Sequence, residues 1–414
     1  MEPLKRNLIK KINNLLEFFP VVALLGGRQC GKTTLAKMCR PDWAYFDLER
    51  DDVFDRVNGD SLLFLAEHHS NIIIDEAQKS PILFNHLRGV IDQDRSKKGR
   101  FLLTGSSSFD LLQQITETLA GRIAVLEIPP MKMNELEENT IPQFYQIFNH
   151  TLDHHTIDLL KTIQEKPLAI KAIKEHFFYG GYPEPAISKV PFFFKNWMDS
   201  YFHQYINRDI RTLYPRLDLI KYRRLLSMLS YCNGRILNKS DIAREIEVGE
   251  KTVRDYLEII AGTYFWFNLP AYKSSKIKNT ISMPKGYFVD SSLSFFLRKI
   301  ESAEQFDAFP DFGRFFEGFV IQEIIRGVNT ADTVNVDFFH YRTKKGAVID
   351  LIINGSFGTL PIEIKYASHT KKKQISTLID FVDKHDLPLG LVINNCQEVS
   401  LISQKIIQFP VGLI

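Results

Sequence analysis

A chain of 414 residues, 44% of them hydrophobic, can bury a sizeable core and, at roughly 100–200 residues per domain, is expected to hold more than one. A net charge of only +3 excludes a strong global field of the kind that draws nucleic acid or anionic membranes, so any basic surface must be local. The 32 phenylalanines exclude a solvated tail, and Cys30, Cys39, Cys232 and Cys396 stand too far apart for a zinc site or a disulfide framework.

The N-terminal stretch carries Leu and Ile at near-helical spacing between Lys and Arg, which reads as a packing helix rather than a membrane-surface one. It has no apolar core with a small-residue cleavage site, and no run reaches the roughly 18–20 apolar residues that span a bilayer. The expectation is a cytoplasmic, unprocessed protein without a membrane partner.

Short apolar runs at Val21–Leu25, Trp43–Leu48, Ile72–Ile74, Phe101–Thr104 and Ile123–Ile128 alternate with helical stretches, the pattern of an α/β domain with a parallel sheet. Directly after the first run, Gly26-Gly27-Arg28-Gln29-Cys30-Gly31-Lys32-Thr33 matches GxxxxGK[ST], and Thr34 opens a helix. Glycines let the backbone fold around phosphate, and amide N–H groups with the helix N-terminus hold its oxygens. Lys32 is expected to reach the β- and γ-phosphates of ATP, and Thr33 to ligate Mg²⁺. The run Asn71–Ile74 ends in Asp75-Glu76. There Asp75 would help hold the hydrated Mg²⁺, and Glu76 would polarise the attacking water. At the end of the Phe101 run, Thr104 or Ser106 offers a hydroxyl that could sense the γ-phosphate.

These motifs, together with Asp75-Glu-Ala-Gln78-Lys79, Leu103-Thr-Gly-Ser-Ser107, Leu119-Ala-Gly-Arg122, Gly180-Gly-Tyr-Pro183 and Arg208-Asp209-Ile-Arg211, resemble the bacterial and archaeal predicted ATPases of the AAA+ superfamily over most of the chain. The resemblance implies a transition-state role for Arg122, in cis or across a subunit boundary, with a surface salt bridge as the alternative. It also implies a possible homo-oligomer, a winged-helix region after the ATPase module, and a C-terminal domain of unknown function with restriction-endonuclease-like character.

Farther along, the text from Asn134 to Tyr231 is mainly helical, broken at Gly180-Gly181-Tyr182-Pro183. Helices over 240–246 and 250–261, a short turn between them and an aromatic strand at Tyr264–Leu269 read as a winged helix-turn-helix. Lys251 and Arg254 lie at the end of the second helix that can enter a DNA groove, although such folds also serve as rigid spacers. In the last part, Asp350 ends a strand, Glu363 and Lys365 share a face of the next, the two strands are expected to form a hairpin that brings Asp350 alongside, and Glu317 and Glu323 lie on the preceding helix. The set resembles the PD-(D/E)xK nuclease arrangement, with Mg²⁺ or Mn²⁺ held by Glu317, Asp350 and Glu363, Lys365 orienting the nucleophile, and an acid of the helix, Glu317 or Glu323, completing the shell. Ala347-Val-Ile349 departs from the relatives, which usually place a further acid before the valine. Lys371, Lys372 and Lys373, with Arg342, Lys344 and Lys345, make the dense basic neighbourhood expected to contact nucleic acid.

The expected layout is therefore an AAA+ P-loop ATPase domain over 1–135, a helical connecting region over 136–230, a winged helix-turn-helix over 231–285 and a PD-(D/E)xK-like α/β domain over 286–414. The expected function is an ATPase whose nucleotide state controls a nuclease-like domain acting on DNA. The alternative is an ATP-dependent switch or scaffold that binds DNA or a protein without cutting.

Overall fold

The computed structural model describes residues 3–106, 115, 117–273, 283–308, 311–331, 335–343 and 346–414. Five apolar runs form one parallel sheet of β1 (Val21–Leu25), β2 (Ala44–Asp47), β3 (Ile72–Asp75), β4 (Phe101–Gly105) and β5 (Ile123–Glu127), in the order β2-β3-β4-β1-β5. β1 and β4 are buried along their whole length, as parallel strands covered on both faces must be. Val21, Ala23 and Leu25 face one apolar layer, while Val22 and Leu24 face the other. β5 is an edge strand and alternates instead, leaving Val125 and Glu127 open. The N-terminal helix Ile9–Phe18 sends Ile12 and Leu16 into the second layer, so its spacing serves packing. Because every strand runs the same way, the segments after β1, β3 and β4 emerge at one edge of the sheet, where open parallel sheets hold ligands.

The chain folds as two compact units, residues 1–131 with 262–265, and residues 132–261 with 266–414. The expected boundary at 135 thus falls at 131, and the three segments expected as separate domains share the second unit. The short segment Gly262–Phe265, expected inside the helix-turn-helix, groups with the first unit.

In the second unit, helices Lys239–Glu245 and Glu250–Gly262 precede β7 (Trp266–Leu269), which pairs antiparallel with β8 (Lys285–Phe288); β8 also pairs with β6 (Arg235–Ile236). The break at Gly180-Gly181 has a local cause. Gly180 has φ 71° and ψ −157°, a region open to glycine, and Gly181 N–H donates to Asp290 Oδ2 at 2.9 Å. The abundance of phenylalanine is explained here too. Phe177 lies 4.9 Å from Phe295 and 5.0 Å from Phe319 between ring centroids, within one aromatic cluster.

The C-terminal sheet joins β9 (Asp337–Arg342), β10 (Val348–Gly355), β11 (Gly358–Ile364), β12 (Gly390–Asn394), β13 (Ser400–Ser403) and β14 (Ile406–Pro410), in the order β13-β14-β12-β11-β10-β9. The hairpin β10–β11 matches the sequence expectation, whereas β13 and β14 had not been foreseen. Helix Phe312–Val328 is apolar on almost every side, as an interior helix must be, yet it carries Glu317 and Glu323 inward.

Candidate functional site

The P-loop leaves β1 at Leu25 and enters helix Lys32–Cys39. Gly31 takes φ 90°, which glycine adopts without cost, and the exposed Gln29 is held at φ 57°. A β-carbon at Gly26 would lie 2.3 Å from the Ile128 carbonyl oxygen, so the loop can pass there only as glycine. Lys32 Nζ donates to the carbonyls of Gly26 at 3.1 Å and Gly27 at 2.8 Å. The Cys30 thiol closes the loop onto the Gly27 carbonyl at 3.0 Å. Arg6, which no motif had marked, is buried and donates to the carbonyls of Cys30 at 2.9 Å and Pro129 at 2.7 Å. Arg28 stands 4.0 Å from Glu49, and Thr34 is exposed on the first turn of the helix.

Asp75 gathers three hydroxyls. Thr33 Oγ1 donates to its Oδ2 at 2.8 Å, Tyr45 OH to the same oxygen at 2.7 Å, and Thr104 Oγ1 to Oδ1. Burial, then the bond to Asp75, pushes the Tyr45 hydroxyl far above the usual tyrosine range, so it stays a donor. Thr33 and Asp75 thus present hard oxygen ligands side by side, the donor set that suits Mg²⁺. Glu76 follows with φ 53°, uncommon for a residue with a side chain, and its N–H donates to Thr104 Oγ1 at 3.3 Å. Its carboxylate accepts from Ser106 Oγ at 2.8 Å and from Gln78 Nε2. The two candidate sensors therefore separate: Thr104 is buried on Asp75, while the half-buried Ser106 holds Glu76. Ser107 lies outside the described residues.

Arg122 is elsewhere. It immediately precedes β5, its carbonyl accepts from Val21 N–H, and both strands start there, at the sheet edge opposite the P-loop. Its guanidinium makes a two-pronged pair with Asp92, at 2.8 and 2.9 Å. Within its own chain Arg122 makes a salt bridge, the alternative that the sequence left open beside a transition-state role. The reason is topological: a residue that begins a parallel strand cannot reach groups at the strands' far ends.

The C-terminal acids converge, and Lys285 lies between two of them. Lys285 Nζ, from β8, lies 2.7 Å from Glu317 Oε1 and 3.7 Å from Asp350 Oδ1. Tyr287 OH donates to Glu317 Oε1 at 2.5 Å, Ile364 N–H donates to Asp350 Oδ2 at 2.9 Å, and Lys365 Nζ donates to Glu363 Oε1 at 2.5 Å. Burial alone would lower the Lys285 ammonium, yet Glu317 and Asp350 outweigh it and hold it above the ordinary lysine value. Burial and then Asp350 push the Glu363 carboxyl up to about 8. Among the described residues no group of three or more His, Cys, Asp or Glu is disposed to hold a metal ion. The residues present do not fit the divalent metal expected on Glu317, Asp350 and Glu363, because an internal ammonium already neutralises two of the acids. Glu323 does not join them. It pairs instead with Lys132 at 3.2 Å and Arg326 at 3.2 Å, and accepts from Met133 N–H at 3.1 Å.

With this geometry in view, comparison with known proteins gives a consistent picture. Residues 19–137 match the family described as AAA domain. The first unit carries a P-loop ATPase domain of the AAA type. Residues 170–304 and 312–414 match two domains of unknown function, DUF8612 and DUF4143. An uncharacterised protein of Mycobacterium tuberculosis is 25% identical over 379 residues, 91% of this chain and 77% of the relative. Another, of Methanocaldococcus jannaschii, is 24% identical over 371 residues, 86% of this chain and 76% of the relative. Among solved structures, a Walker-type ATPase of Pyrococcus abyssi aligns at 15% identity, covering 72% of this chain and 99% of that one, with a TM-score of 0.41. The RuvB Holliday junction branch migration motor of Thermotoga maritima aligns at 18% identity over 64% of this chain and 90% of its own, with a TM-score of 0.31.

Outside the ATPase domain, Lys251 and Arg254 are exposed at the start of helix Glu250–Gly262, and Lys371, Lys372 and Lys373 are exposed after β11. Lys344 and Lys345 lie outside the described residues. No described helix is long and apolar enough to cross a membrane. Sequence reasoning missed Arg6, Tyr45 and Lys285, which lie on segments that only folding brings near; Gln78 was read as part of the motif but given no role.

Proposed function

We propose that the chain is an ATP-driven switch: ATP with Mg²⁺ binds the P-loop, Glu76 promotes hydrolysis, and nucleotide state governs binding of nucleic acid by the second unit. The observation that carries the ATPase reading is the hydroxyl network joining Thr33, Asp75, Thr104, Glu76 and Ser106. Thr33 and Asp75 would hold Mg²⁺, which would supply positive charge next to the phosphates. Lys32 exchanges the carbonyls of Gly26 and Gly27 for phosphate oxygens, and Ser106 can trade its bond to Glu76 for a γ-phosphate oxygen. That trade would free the Glu76 carboxylate to take a proton from water. ATP turnover tests this reading: Lys32→Ala should lose nucleotide binding, and Glu76→Gln should bind but not turn over. Turnover by Glu76→Gln at the parent rate would remove Glu76 from the base role.

Binding without cleavage is favoured for the output, because Lys285 neutralises the acids that a metal would need. The basic groups Lys251, Arg254 and Lys371–Lys373 suit DNA backbone, and replacing Lys251 and Arg254 with Ala should weaken DNA association and flatten its salt dependence. Nuclease action remains the second reading, supported by the convergence of Glu317, Asp350, Glu363 and Lys365. Plasmid and linear DNA incubated with Mg²⁺ or Mn²⁺, with and without ATP, separate the two. Cleavage that disappears in Asp350→Ala would overturn the binding-only output. Arg122, at the sheet edge opposite its own P-loop, would have to give up its pair with Asp92 to act on a neighbouring copy if the protein assembles as a homo-oligomer.

A further inference from the structure

The sheet order gives the bound triphosphate a direction. Asp75 and Glu76 follow β3 and Ser106 follows β4, and both strands lie on one side of β1. The γ-phosphate must face that side, so the nucleoside must leave the P-loop toward the other, where β5 lies. Two side chains of the first unit stand there. Glu127 is the last residue of β5 and pairs in register with Leu25, the residue just before the loop. Tyr264 sits beside the loop itself, its Cβ 3.6 Å from the place of a β-carbon on Gly27. It is half-buried and packs against the sheet face that carries Val21, Leu25 and Ile123.

Neither residue has a role in the hydrolytic network, and each carries a mark of constraint. Tyr264 is held at φ 61°, a conformation that a bulky aromatic residue keeps only when its surroundings impose it. Glu127 keeps open surface at the end of the edge strand, and the protein around it pushes its carboxyl above the ordinary range. Burial, then Glu127 and Cys30, raise the Tyr264 hydroxyl above the usual tyrosine range. An aromatic face and a hydrogen-bond acceptor beside the loop are the chemistry that recognises a nucleoside.

The geometry points to Tyr264 and Glu127 as the nucleoside half of the nucleotide site, Tyr264 stacking on the base and Glu127 accepting a hydrogen bond from a ribose hydroxyl or an exocyclic amino group. This rests on the ATP-binding reading of the P-loop and deepens it.

The test is calorimetric titration of the full-length protein with ATP, tripolyphosphate, 2′,3′-dideoxy-ATP and purine riboside triphosphate. Tyr264→Ala should weaken ATP about tenfold while tripolyphosphate binding holds, since base stacking is worth about that factor. Tyr264→Phe, which keeps the ring, should bind ATP like the parent and serves as the folded control. Glu127→Ala, which removes the acceptor, should erase the parent's preference for ATP over the dideoxy analogue if the donor is a ribose hydroxyl, or over the purine analogue if it is the amino group. Parent-like ATP binding by both Tyr264→Ala and Glu127→Ala would overturn the inference, as would parallel loss of ATP and tripolyphosphate in Tyr264→Ala. If the parent binds neither ATP nor tripolyphosphate, the phosphate-site reading itself falls and takes this one with it.

Discussion

Lys285 Nζ lies 2.7 Å from Glu317 Oε1, inside a cluster of acids that its sequence neighbourhood gives no hint of. A buried ammonium is tolerated only with close counter-charges, and removing one partner of a buried ion pair typically costs about 3–5 kcal/mol. Lys285→Ala should therefore lower the melting temperature markedly. It should also uncover Glu317, Asp350 and Glu363, so that Mn²⁺ raises the melting temperature of Lys285→Ala but not of the parent. Equal Mn²⁺ responses in the two proteins would show that Lys285 does not stand in for a metal.

The two-pronged pair of Arg122 with Asp92 implies that Arg122→Ala leaves ATP affinity within about twofold of the parent. Turnover measured across a range of protein concentrations distinguishes the remaining roles. A defect confined to high concentration identifies an arginine acting on a neighbouring copy, and a parent-like series identifies a structural pair.

At Gly180 a β-carbon would lie 1.8 Å from Asp290 Oδ1, and Asp290 is engaged by Gly181 N–H, Ser292 and Arg326. Gly180→Ala combines that clash with a disfavoured backbone, for a loss on the order of 3 kcal/mol. Denaturant unfolding should report it as a lower midpoint with ATP affinity of the folded protein retained.

Burial holds the His340 imidazole down at about 4, with its Nε2 3.0 Å from the Met283 carbonyl oxygen. The folded pKa lies below the unfolded value near 6.5, so the native state binds fewer protons. Its contribution is full above about pH 6.5 and is lost progressively as pH falls toward 4, on the order of 3 kcal/mol. Melting curves over that window should fall less steeply for His340→Gln, which keeps a donor toward Met283. Identical slopes would assign the acid sensitivity to other groups.

Much of the ATPase domain was legible because its signals are contiguous. An apolar run, the glycine loop and the helix that follows are neighbours in sequence, and Asp75-Glu76 ends the third such run. The hairpin β10–β11 was legible for the same reason. The hairpin β13–β14 was not, because Ser400–Ser403 is a half-exposed edge strand without a strong apolar alternation. The expected partition into four domains differed from the two units found, since Lys132, Glu323, Arg326 and Asp290 form buried links among segments that look independent along the chain.

Sequence by itself determined the P-loop, its acidic partners and the parallel sheet that presents them, because backbone conformation there follows from residue type over a few positions. Tertiary structure alone decided what stands beside those groups. The same Arg122 becomes an ion pair at the wrong edge of the sheet, Lys285 enters the acid cluster from a different sheet, and Tyr264 reaches the P-loop from more than two hundred residues away in the chain. Each depends on strand order and on pairings between distant segments, which local propensity and spacing do not encode.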